Sequence, residues 1–307
     1  MSQRAVVFLG TASQVPTRTR SHNALFLFWD DLGVLFDPGE GTQRQMTLAG
    51  ISSSQVTHVV LTHFHGDHCL GLPGVLQRLS LDRVPQEVGV YFPASGRAYF
   101  ERMRLASVYH EAAGIESRPL IVEPDAEVEV FRAGKVRLTA RLLDHGIDCL
   151  GYRLREEDGR RMLPDKLDAA GVRGPAVGEL QRLGRLEVDG KTVTVEEVSE
   201  DRPGQAFALT LDTRPCPAAS ALARDADLLV CEATYLDAER QEAHEHFHMT
   251  AAQAATLARD AGVRRLALTH FSQRYADAEP FRAETAPLHP DVVIAADLDR
   301  VTVPPRR

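Results

Sequence analysis

Three histidines and one aspartate fall within six residues of VVLTHFHGDHCLGLPGVL, Val59 to Leu76: His63, His65, Asp67 and His68. Residues two apart on an extended segment point the same way, so His63 and His65 can reach one ion, and a turn at Gly66 brings Asp67 and His68 round to a second. Imidazole and carboxylate suit zinc or manganese, and two such ions form a clamp for phosphoryl transfer. Packing alone does not gather four groups this costly to bury. Three more donors sit where apolar runs end: His145 in RLLDHGID, Asp212 in ALTLDTRP and His270 in LALTHFSQRY. Strands ending at these points would deliver the side chains to one rim of a sheet. Seven donors around two ions leave room for water.

The elements that must position these residues are short. AVVFLG, ALFLFW, GVLFDPG and THVVLTH read as consecutive strands joined by hairpins. Helical patches then alternate with further strands. LPGVLQRL and GRAYFERMRLASV read as helices, while EVGVYFP, EVEVFRAGKVRLTARLL and LGYRLRE read as extended. MTAAQAATLARDAGVRRLALTHF is a helix stopped at Gly262 and followed by a strand. Strands that end in a polar loop and lead into a helix recur in both halves, which predicts two packed sheets with helices outside. Residues from about 156 to 195 interrupt this pattern with glycine and charge, and the one amphipathic patch there runs from Gly178 to Leu183.

With 307 residues, 44% of them hydrophobic and 25% charged, the chain has the balance of a soluble globular protein. No apolar run approaches the roughly 20 residues of a membrane span, and the apolar segment near the start is too brief for a secretory signal. A cytoplasmic enzyme with no membrane attachment is expected. The four cysteines form no CxxC pair, so a metal here is held by nitrogen and oxygen. The net charge of −8 lacks the basic surplus of an ordinary nucleic-acid binder. A polyanionic substrate therefore needs a local arginine cluster or bound cations.

The stretch THFHGDH resembles the signature of the metallo-β-lactamase superfamily, which implies an α/β fold: a four-layer αββα sandwich with metals on one edge. Together with GEGTQRQM, LDTRP, CEATY, HMTAAQAA and THFSQRY, in that order, it is similar to the ribonuclease Z family, the zinc-dependent endonucleases that remove the 3′ trailer from precursor tRNA. The match runs from VVFLGTASQVP to about Tyr275, and VVIAADLDRVTVP resembles the closing strand. The resemblance makes residues 1–307 a single domain with an inserted flexible arm at about 156–195.

By this resemblance two Zn²⁺ are bound per subunit, with Mn²⁺ or another divalent ion able to substitute. His63, His65 and His145 hold the first, Asp67, His68 and His270 hold the second, and Asp212 bridges them. Asp67 orients the attacking water and accepts its proton. His248 in HFHMTAAQ protonates the departing ribose oxygen, with Glu232 of CEATY as its partner; Met249 stands where the family usually has serine. Asp37 in GVLFDPGEG orients an imbedded imidazole from behind. QVPTRTRSHN matches a loop that touches the tRNA acceptor end, with Arg18 in place of lysine, Arg20 kept, and Ser21 in place of asparagine. Arg274 is a further phosphate-contact candidate. GVRGPAVGEL resembles the arm motif that grips the tRNA elbow, which makes Gly174 and Pro175 substrate-binding. Arg173, Arg182, Arg185 and Lys191 concentrate positive charge on that piece. The arm of one subunit serves its partner's site, so a homodimer is implied. The alternative within the superfamily is a phosphodiesterase or exonuclease acting on other phosphate esters.

Overall fold

In the computed structural model, which describes residues 4–306, the apolar runs pair into two seven-stranded sheets. The first has the order Arg300–Thr302, Arg4–Gly10, Ala24–Trp29, Leu32–Phe36, His58–Val60, Val88–Pro93 and Ile115–Leu120. The second runs Val292–Ile294, Arg265–Thr269, Leu228–Glu232, Ala206–Thr210, Leu150–Glu156, Val136–Leu142 and Val128–Ala133. The hairpin reading holds for the first three strands in sequence, which pair antiparallel. It fails for the fourth: His58–Val60 joins Leu32–Phe36 in parallel, because helix Thr42–Leu48 carries the chain back across the sheet.

Strand Ala24–Trp29 shows why the sandwich has four layers. All six side chains are buried, and the two-residue period divides them between two cores. Leu25, Leu27 and Trp29 face Tyr152, Phe207 and Leu209 of the other sheet. Ala24, Phe26 and Phe28 face Met46, Leu76 and Phe100 on the helices Thr42–Leu48, Leu72–Leu81 and Arg97–Arg104. The second sheet is covered in the same way by Pro217–Ala223, Ala251–Asp260 and Glu279–Thr285, through Leu222, Ala255 and Phe281. Each such leucine or phenylalanine contributes roughly 1.5–3 kcal/mol by leaving water. Tyr152, fully buried, ties the sheets together by donating its hydroxyl to the carbonyl of Leu61 at 2.6 Å, just before the histidine-rich stretch.

The chain divides into two compact units, one built from residues up to 154 and from 206–304, the other chiefly from residues 155–205. The second unit starts where the sequence places an excursion but runs ten residues beyond 195, because Gly159–Met162 pairs with Ser199–Arg202. It also holds helices Pro164–Ala169 and Pro175–Leu183 and the hairpin Arg185–Val188 with Lys191–Thr194. Leu167, Val172, Leu180, Val193, Val195 and Val198 form its own small core. Among the described residues no helix is long and apolar enough to cross a membrane.

Candidate metal centre

Asp67 and His68 lie in the short helix Gly66–Cys69, with His65 as its cap, while three other residues of the site lie just beyond strand ends. Asp37 follows Leu32–Phe36, Asp212 lies two residues past Ala206–Thr210, and His270 follows Arg265–Thr269. All three have left-handed backbone, with φ of 45°, 46° and 61°. Such angles are uncommon for residues with a β-carbon and occur where the surrounding structure enforces them. The turn aims each side chain back over the rim it has just left.

Two groups of donors result. In the first, His63 Nε2 lies 3.0 Å from His65 Nδ1, which lies 3.2 Å from His145 Nε2, and Asp212 Oδ2 approaches His63 Nε2 at 3.7 Å. In the second, His68 Nε2 and His270 Nε2 are 3.1 Å apart, and Asp67 Oδ2 is 3.3 and 3.4 Å from them. Asp212 Oδ1 lies 3.4 and 3.3 Å from the same two nitrogens. One carboxylate thus faces both groups with different oxygens. The ligand atoms of each group lie within 4.8 Å of one another.

The residues fit a divalent ion on two counts. Asp212 Oδ1 is buried without a hydrogen bond among the described residues, an arrangement that a cation resolves. Four of the imidazoles, His63, His68, His145 and His270, also have their other nitrogens engaged so that the inward ones are free to ligate. Thr62 gives its one hydroxyl proton to Asp37 Oδ2 at 2.7 Å, so at 2.9 Å it must accept from His63 Nδ1. Thr234 gives its proton to Glu232 Oε2 at 2.7 Å and must accept from His270 Nδ1 at 2.9 Å. His68 Nδ1 donates to Asp37 Oδ2 at 2.8 Å, and His145 Nδ1 faces the carbonyl of Phe247 at 3.4 Å. Burial pushes the His63, His65 and His145 pKa values down, leaving them neutral, the state that binds metal. Thr62 and Thr234 were missed in the sequence reading; a hydroxyl directly before His63 and another in CEATY were the available signals.

His248 sits beside this cluster. Its Nδ1 is 3.1 and 3.0 Å from the two oxygens of Glu232, which is fully buried. Glu232 also accepts from the backbone N–H of Thr213 at 2.6 Å and of Met249 at 3.1 Å. Burial alone would lower the His248 pKa, but the Glu232 carboxylate, by charge and hydrogen bond, holds it at about 9. Burial would raise the Asp67 carboxyl, yet His68 and His270 hold it well below the usual carboxylate range.

The remaining sequence candidates are spread out. Arg20 turns inward: it donates to Thr11 Oγ1 at 2.7 Å and Ala295 O at 2.9 Å, and lies 4.4 Å over the ring of Phe271. Arg18 is exposed. Arg274 lines the same cavity as His65, Asp67, His145, Asp212 and His270, a space of about 630 Å³, where it pairs with both oxygens of Glu242 at 3.0 and 2.6 Å. Gly174 and Pro175 are exposed in the second unit, where Gly174, with φ 54°, caps helix Pro175–Leu183.

Comparison with known proteins identifies the family and the fold. Residues 17–163 match the profile of the metallo-beta-lactamase superfamily and residues 189–271 that of the beta-lactamase superfamily domain. The crystal structure of human tRNase Z, short form, superposes with a TM-score of 0.72 at 26% identity, covering 98% of this chain and 99% of that one. A ribonuclease Z of Salinispora arenicola is 55% identical over 100% of this chain and 98% of its own. That of Nocardia farcinica is 53% identical over 100% of both. Likeness at this level, carried from end to end, means that the chain belongs to the ribonuclease Z family of metallo-β-lactamase-fold proteins.

Proposed function

We propose that this chain is a metal-dependent endoribonuclease that removes the 3′ trailer from precursor tRNA, leaving a 3′-hydroxyl on the tRNA and a 5′-phosphate on the trailer. The observation that carries the reading is the Asp212 carboxylate facing two histidine groups, with His248 held against the Glu232 carboxylate beside them. Two Zn²⁺, or Mn²⁺ or another divalent ion, fit this donor set: His63, His65 and His145 for the first, Asp67, His68 and His270 for the second, and Asp212 between them. Ions bound there supply Lewis-acid charge at the scissile phosphate and lower the pKa of water. Asp67, kept ionised, accepts a hydrogen bond from the attacking water and aligns it, takes the water proton as the new phosphorus–oxygen bond forms, and releases that proton to solvent. His248 gives its Nε2 proton to the departing ribose oxygen, and Glu232 stabilises the imidazolium beforehand. Asp37 fixes the ring of His68. Arg18 and Arg274 contact substrate phosphates, the latter by exchanging Glu242 for them; Arg20 shapes the loop from within.

The test is direct. Purified protein incubated with a 3′-extended precursor tRNA is expected to give one product ending at the discriminator nucleotide. Chelation should abolish the cut and added divalent ion restore it. A ladder of products would point instead to an exonuclease.

The second unit supplies the grip on tRNA, through Gly174, Pro175 and the exposed Arg182, Arg185 and Lys191. The working particle is a cytoplasmic homodimer in which each arm serves the partner's site. Residues 157–204 can be replaced by a short glycine-serine linker because Glu156 N donates to Gln205 O at 3.0 Å, so the ends already meet. The shortened protein should lose about tenfold or more in precursor tRNA cleavage through lost phosphate contacts, while hydrolysis of bis(p-nitrophenyl) phosphate persists. Equal survival of both activities would remove the arm from tRNA recognition.

A further inference from the structure

We infer that Arg214 is a positioning residue that holds His248 in register for proton transfer to the leaving oxygen. The inference rests on the reading of His248 as the acid. Arg214 stands two residues after Asp212, and the three residues 212 to 214 reach three parts of the site. Asp212 faces both donor groups, and Thr213 donates its backbone N–H to Glu232 Oε1 at 2.6 Å. Arg214 Nε donates to the carbonyl of His244 at 2.7 Å, and its guanidinium lies 3.8 Å over the ring of Phe247. Its own backbone is held by the carbonyl of Asp144 at 3.0 Å, with the Asp144 carboxylate 3.8 Å from Nη1.

Phe247 is the residue before His248, and its φ of 62° is one that an aromatic residue rarely adopts unaided. That backbone turn aims the Phe247 carbonyl at His145 Nδ1 and the next side chain at Glu232. Arg214 holds it at two points, by a cation–π contact on the ring and a hydrogen bond at His244. The contacts close a circuit: Arg214 to the 244–247 turn, His248 to Glu232, Glu232 to Thr213, and back along the chain to Arg214. A general acid loses effect when its proton is misplaced by a fraction of an ångström. A lysine at 214 keeps the charge but has neither the planar guanidinium nor the sideways donor.

The leaving group tests this. A ribose oxygen needs a proton as it departs, whereas p-nitrophenolate does not. Metal-loaded R214A is expected to lose about tenfold or more in kcat on precursor tRNA, part of the roughly 10²–10⁴-fold a general acid contributes, with KM and metal content unchanged. Its loss on bis(p-nitrophenyl) phosphate should be at least about ten times smaller, and R214K should recover only part of the tRNA activity. R214A placed on H248A should add little, since two residues acting through one proton are not additive. F247A is an independent disruption of the same contact and should show the same split between substrates. The inference is overturned if R214A leaves tRNA cleavage intact while H248A slows it, if both substrates suffer equally, or if the two substitutions multiply. H248A with undiminished tRNA cleavage would instead overturn the acid assignment and this inference with it.

Discussion

Asp212→Asn is expected to lower the metal content of the purified protein and to slow cleavage of precursor tRNA by about 10³-fold or more, Lewis-acid stabilisation being worth several kcal/mol and each 1.36 kcal/mol a factor of ten. Among the described residues, Asp212 is the one carboxylate whose two oxygens face different donor groups, Oδ2 toward His63 and Oδ1 toward His68 and His270. Asparagine matches its shape, so folding is not the cause of the loss; what changes is a charge placed where both cations would sit. Elemental analysis of protein purified with and without added zinc, paired with single-turnover cleavage, makes the comparison. A variant that keeps the parent's metal stoichiometry and rate would end the two-ion reading.

The second large effect separates chemistry from metal binding. His248→Ala should cut turnover of precursor tRNA by about 10²–10⁴-fold, the usual contribution of a positioned general acid, and leave metal content as in the parent. The imidazole is held protonated because Glu232 outweighs burial and keeps its pKa at about 9. Burial works against the charge on Glu232, but His248, by charge and hydrogen bond, keeps it ionised, and two backbone N–H groups and the Thr234 hydroxyl also donate to it. Metal analysis and kinetics on one preparation check this. Loss of metal along with activity would make His248 part of the cation site rather than the proton donor.

Much of the architecture was legible because the signals were local. The period of two in ALFLFW, the glycine after the helix at 251–260, and donors placed directly behind apolar runs each need only neighbouring residues to be read. The parallel entry of His58–Val60 was not, since it depends on how helix Thr42–Leu48 packs. Nor were the roles of Thr62 and Thr234. A threonine hydroxyl has one proton, and its direction is decided by Asp37 and Glu232, the first of them 25 residues away. Arg20 reads from the sequence as a tRNA-contact residue, and its inward role was hidden because its partners Thr11, Phe271 and Ala295 come from both ends of the chain. The second unit read as irregular because its core is only six small and medium side chains scattered among glycine and charge.

Strands Leu150–Glu156 and Ala206–Thr210 are neighbours in their sheet, and the excursion between them departs and returns on adjoining rungs. An insertion rooted this way can lengthen or shrink at slight thermodynamic cost, about 0.6 kcal/mol per doubling of a flexible loop, while the strands carrying the reactive groups keep their register. The scaffold therefore lets the residues of the second unit diversify independently of those that carry the donor groups: one region is free to drift while the other stays fixed.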